Sequence, residues 1–126
     1  MKFMSNSNIR HFTHLIAWQK AHKLARKIYK LTKDFPKDEL FGLISQIRRA
    51  ACSITCNIAE GYGRYHHKDK IKFYYQARGS NMEVQNLLIL SHDLDYITDE
   101  CFDELKLLVY EGYKLLNGLI NSTAKF

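Results

Sequence analysis

Apolar residues recur along this chain at spacings of three and four, in four stretches separated by short polar breaks. That period predicts amphipathic helices rather than the strict alternation of half-buried strands. In the first stretch, about residues 14 to 33, Trp18, Ala21, Ala25 and Ile28 mark the buried stripe. Phe35-Pro36 ends it, because the residue before proline is pushed out of the α region. The second stretch, about 38 to 60, carries the cleanest signal. Leu40, Ile44, Ile47, Ala51, Ile54 and Ile58 keep a nearly heptad rhythm, the seam of a bundle. Asp38 and Glu39 suit the positive end of its dipole, and Gly61 is placed to close it in a left-handed conformation.

The third stretch, about 68 to 96, shows one face through Ile71, Tyr74, Ala77, Asn81, Val84, Leu88, Ser91 and Leu94. Gly79 sits in its middle, where glycine costs helix stability, and is read as a point of close approach by another helix. The fourth, about 99 to 120, has Thr98 to cap it and Phe102, Leu105, Leu108, Gly112, Leu115 and Leu119 facing inward. Four amphipathic helices with short connections predict an all-α, antiparallel up-down-up-down four-helix bundle. Residues 1 to 13 read as a loose arm and 121 to 126 as a frayed tail.

A chain of 126 residues with one proline fits a single helical domain. Three cysteines, an odd number, argue against a secreted disulfide framework, and Met1 to Arg10 lacks the apolar core of a signal peptide. The longest aliphatic run, Leu87 to Leu90, is far too short to span a bilayer. A reducing cytoplasm and no membrane contact are the expectation.

Charge changes the picture. The net charge is +6, and it is polarised along the chain. Residues 1 to 33 hold eight Lys or Arg and no acid, whereas residues 93 to 111 hold seven acids and one Lys. That polarity suits an anionic partner, RNA or DNA, at the basic end. It equally suits two neighbouring helices of opposite sign, or subunits meeting basic face to acidic face.

Candidate chemistry narrows quickly. Cys52 and Cys56 lie one turn apart, but nothing fixes His66 and His67 near them to complete a four-ligand metal site. The Glu-x-x-His pairs of a di-iron bundle are absent: Glu83 is followed at that spacing by Asn86 and Glu60 by Gly63. There is no nucleophile elbow, and Gly61-Tyr62-Gly63-Arg64 lacks the strand and the Lys-Ser/Thr ending of a phosphate loop. No arginine precedes a histidine at the spacing some helical ribonucleases use. No catalytic residue, metal or cofactor is expected.

Basic surface remains. Lys20, Lys23, Lys27 and Lys30 follow the buried stripe two positions later, about 200° around the first helix, with Arg26 and Lys33 beside them. These side chains and Arg64 are the candidate nucleic-acid contacts. Arg64 to Arg78 adds Lys68, Lys70 and Lys72 among Tyr62, Tyr65, Tyr74 and Tyr75. Those tyrosines either stack on bases or pack into the bundle. Arg48 and Arg49 neighbour the seam. A buried guanidinium needs a carboxylate, for which Glu60 and Glu83 are the candidates; a structural ion pair and a ligand contact both stay open.

The motifs Ala17-Trp18-Gln19-Lys20-Ala21, Phe35-Pro36, Gly42-Leu43 with Gln46-Ile47-Arg48-Arg49-Ala50-Ala51, Asn57-Ile58-Ala59-Glu60-Gly61 with Gly63-Arg64, and Ala77-Arg78-Gly79-Ser80 with Glu83 occur in that order. In this the chain resembles the four-helix bundle proteins encoded within 23S rRNA intervening sequences. It is similar also to the accessory variability determinant proteins of diversity-generating retroelements. The resemblance covers about residues 14 to 120. It implies a bacterial, cytoplasmic, non-enzymatic bundle that assembles as a homopentameric ring. On the accessory branch it implies a basic surface for nucleic acid and a reverse transcriptase as protein partner, so an adaptor with little affinity for free nucleic acid is the alternative function. Lys20, Arg48, Arg49, Arg64 and Arg78 fall on the shared motifs; the other lysines of the first helix rest on charge alone.

Overall fold

The computed structural model describes residues 9 to 125; most of the predicted N-terminal arm, residues 1 to 8, and the last residue of the predicted tail lie outside that range. Four helices form the bundle: α1 (Ile16–Thr32), α2 (Ser45–Tyr62), α3 (His67–Asp93) and α4 (Asp99–Ala124). There is no strand among the described residues. Each helix packs antiparallel on its sequence neighbour, and α4 closes the ring of helices against α1. The core runs along the axis through Leu24 and Ile28 of α1, Ile47, Ile54 and Ile58 of α2, Val84 and Leu88 of α3, and Val109 and Leu116 of α4. Each such fully buried side chain contributes roughly 1.5–3 kcal/mol.

The start of the second helix departs from the expected continuous span. Residues Lys37–Glu39 form a 3-10 turn and Leu40–Ile44 a wide π turn before α2 begins at Ser45. Gly42 leaves helical geometry there (φ −108°, ψ −111°). A Cβ at Gly42 would stand 2.8 Å from the Glu39 carboxylate, which accepts a hydrogen bond from Leu43 N. Leu40 therefore falls out of the seam and is half exposed, and Phe41 is 94% exposed.

Helix ends differ from expectation for equally local reasons. Gly61 is not a left-handed terminus but a buried helical residue; a Cβ there would lie 2.6 Å from the Tyr74 ring. Gly79 meets no neighbour at all, so no helix approaches it closely. Among the described residues the left-handed one is Asp95 (φ 61°). It closes α3 three residues before the expected end, with Asp95 N bonded to His92 O and Tyr96 N to Ser91 O, a Schellman turn.

Thr98 caps α4 by accepting from Cys101 N at 3.1 Å. The predicted frayed tail is helical to Ala124, because Thr123 is buried and its hydroxyl donates to Leu119 O. Within the predicted arm, Phe12–His14 form a 3-10 turn, and the Phe12 ring meets Trp18 edge-on at 5.6 Å. That end of the arm is packed rather than loose.

Candidate nucleic-acid interface

The lysines of α1 do not act as one stripe. Seven residues are nearly two helical turns, so Lys20 and Lys27 share an edge. That edge faces α4, not solvent. Lys20 pairs with Glu111 at 3.1 Å and Lys27 with Glu104 at 2.6 Å, in antiparallel register. The hydrogen bond and charge of Lys27 hold the Glu104 carboxyl below the usual carboxylate range, with a smaller contribution from Lys23. Lys23, Arg26 and Lys30 lie on the outward face and are exposed, with no hydrogen-bond or ion-pair partner among the described residues. Lys33, just past the helix, is also exposed.

Arg64 stands at the far end of α2. It is held by Glu60 at 3.2 Å, one turn back, and its guanidinium lies 4.7 Å over the Phe73 ring. This corrects the ion-pair expectation from one side: Glu60 serves Arg64, not Arg48 or Arg49. Glu83 is exposed on α3 and pairs with neither. Arg48 lies on the flank of α2 that faces α1. Its Nε donates to Thr32 Oγ1 at 2.7 Å and its guanidinium to Tyr29 O at 3.2 Å, and it stacks 4.8 Å over the Tyr29 ring. The partner is thus a hydroxyl and the carbonyl end of α1, where the helix dipole favours a cation. Arg49 is exposed with no carboxylate at pairing distance among the described residues.

Tyr29 Oη and Cys52 Sγ share a hydrogen bond at 3.3 Å, and this bond, with burial, raises the Tyr29 phenol above its ordinary pKa. Together these contacts tie α1 to α2. The flank they form presents Arg26, Lys30, Lys33, Arg48 and Arg49 with no acid paired to any of them among the described residues.

The tyrosine-rich segment reads mostly as packing. Tyr74 is in the core, where burial pushes its hydroxyl to about 12. Arg78 covers the Tyr75 ring at 4.9 Å and donates to Asn117 Oδ1. Lys70 turns inward, donating to Tyr62 O at 2.7 Å, and desolvation lowers its pKa. It caps the last carbonyls of α2.

Sequence reasoning missed the Arg48 partners and the α4 edge. A backbone carbonyl leaves no residue-type signal. The matching seven-residue spacing of Lys20 to Lys27 and Glu104 to Glu111 was available as a clue to the pairing. No helix of the described residues is long and apolar enough to cross a membrane.

The fold and its basic flank define a small four-helix bundle with a cationic α1–α2 face. The model of the 23S rRNA-intervening sequence proteins matches residues 13 to 118, and the chain belongs to that family. A solved structure from Bacteroides thetaiotaomicron, described as a protein of unknown function from the S23 ribosomal protein family, is similar over 83% of this chain and 98% of its own, at 27% identity and a TM-score of 0.75. No curated protein matches the chain.

Proposed function

We propose that this protein is a non-catalytic, homo-oligomeric binding module for RNA or DNA, acting from the α1–α2 flank. The observation that carries the reading is the division of the α1 cations. Lys20 and Lys27 are paired with α4, while Lys23, Arg26 and Lys30 face outward with no ion-pair or hydrogen-bond partner among the described residues, Lys23 sensing Glu104 only at a distance. Lys33 and Arg49 extend the same charge, and Arg48 is fixed beside it by neutral partners. A row of unmatched cations at helical spacing suits phosphates on a nucleic-acid backbone. It offers no fixed set of base-reading donors, so sequence preference is weak. Membership of a family tied to 23S rRNA intervening sequences supports RNA as the first substrate to try.

The test is the triple reversal K23E/R26E/K30E, measured by fluorescence anisotropy against RNA and DNA across a salt titration. Affinity falls by more than tenfold and the salt dependence flattens if the reading holds. Unchanged affinity and slope in a folded variant overturns it.

A further inference from the structure

The surface carries an aromatic knob and, elsewhere, an apolar groove of matching size. Phe41 projects from the π turn ahead of α2 and is 94% exposed. A single exposed apolar side chain is ordinary, but this one is rigidly mounted. The turn beneath it is pinned through both oxygens of Glu39: one accepts from Leu43 N, the other from the Tyr96 hydroxyl at 2.9 Å. A side chain carried on a pinned backbone has only its own rotamers left to fix on docking.

The groove lies between α3 and α4. Leu88, Ile89, Phe102, Val109 and Tyr110 line it together with Gln85 and Lys106, and its volume is about 180 Å³. An apolar cavity of about 150 Å³ holds one benzene ring. Ile89 and Tyr110 are each about half exposed, as is Met82 farther along the same flank of α3. Lys106 stands 5.9 Å over the Phe102 ring, and Asp38 is exposed three residues before Phe41. An acid beside the knob and a cation beside the groove are complementary.

We infer that Phe41 of one copy seats in the α3–α4 groove of a second copy, with Asp38 meeting Lys106. The inference rests on the homo-oligomer of the proposed function and adds the contact that builds it. Knob and groove are different surfaces, so the contact is head-to-tail and repeats from copy to copy until the rotation closes a ring.

Two measurements on the full chain test it. The first is mass against concentration by analytical ultracentrifugation for the natural protein, F41A and Y110A, with circular dichroism to verify folding. The second places the photo-crosslinker p-benzoyl-phenylalanine at position 41 and maps the product. The inference expects a self-associating natural protein, at least about tenfold weaker self-association in each variant, and crosslinks from position 41 to residues 85–110 of another chain. A natural protein that associates while F41A keeps its mass, or crosslinks that land outside 85–110, overturns the contact and leaves the oligomer standing. A natural protein that stays monomeric at every concentration overturns both.

Discussion

Lys27 Nζ sits 2.6 Å from Glu104 Oε1, and seven residues away on each helix Lys20 repeats the pairing with Glu111. The bundle therefore uses its opposite-sign helices partly on each other. This is the self-pairing alternative that the charge polarity of the sequence left open, and it holds for two of the four lysines.

The Lys27–Glu104 pair has a pH signature. Its folded pKa is depressed, so its stabilisation is present above the unfolded carboxylate value and is lost as pH falls through the folded one. In NMR titrations the Glu104 midpoint is expected below the ordinary range and to return toward it in K27A. A midpoint indifferent to K27A contradicts the pairing.

Nucleic-acid affinity should separate the two lysine sets. K20A/K27A removes charges already matched by α4, whereas K23A/R26A/K30A removes unmatched ones. Under the proposed function, the second variant loses up to about 0.7–0.9 of log–log salt slope per cation that contacts a phosphate, and the first loses much less. Equal losses for both sets exclude the outward face as the dominant contact.

Arg48 holds the α1–α2 seam through charge-assisted hydrogen bonds to neutral acceptors. R48A is expected to cost about 1.5–3 kcal/mol in urea unfolding. R48K should rescue little of it, because an ammonium cannot bond Thr32 and Tyr29 O and also lie flat on the Tyr29 ring. Substituting Glu83 should leave stability unchanged. A large loss in E83A would mean that Arg48 or Arg49 depends on it after all.

Two helical glycines should respond in opposite directions. G61A drives a methyl group into the Tyr74 ring, at a cost of about 1–3 kcal/mol. G79A meets open space and gains about 1 kcal/mol of helix propensity. Thermal melts of the two variants against the natural protein read both signs at once.

Tyr74 should govern part of the alkaline limb. Its folded pKa, raised by burial to about 12 from the ordinary tyrosine range, means that its neutral form is compatible with the fold below the unfolded value. As pH rises from there toward the folded value, the unfolded chain gives up the proton first and stability declines. Y74F should flatten that decline, and phenolate absorbance of the natural protein should show a late-titrating component that Y74F diminishes. A Y74F alkaline limb that superimposes on the natural one contradicts this.

Much of the bundle was legible because its core obeys period. Ile47, Ala51, Ile54 and Ile58 are buried where the heptad rhythm places them. Period alone did not reveal the break before α2: Leu40 continues the rhythm, yet Gly42 lets the Glu39 carboxylate approach and the chain turns wide. Gly61 and Gly79 look alike in sequence, and only the facing element separates them. Of the candidate site, charge located the α1 cations but not their division, because which edge meets α4 depends on the order of helices around the core. The Arg48 partners were illegible for a different reason: a main-chain oxygen at the end of α1 belongs to the fold, not to a residue type.

The two bridges to α4 also decide where the unpaired charge of α1 lies before anything touches the molecule. By matching the cations on one edge of α1 with acids, they leave the unpaired charge of that helix on its outward side. Under the proposed function, that asymmetry favours approaches to an anion in which the outward α1 face leads. The gain lies in the fraction of encounters that begin correctly aligned, a kinetic property set by acids on α4 that no anion would contact.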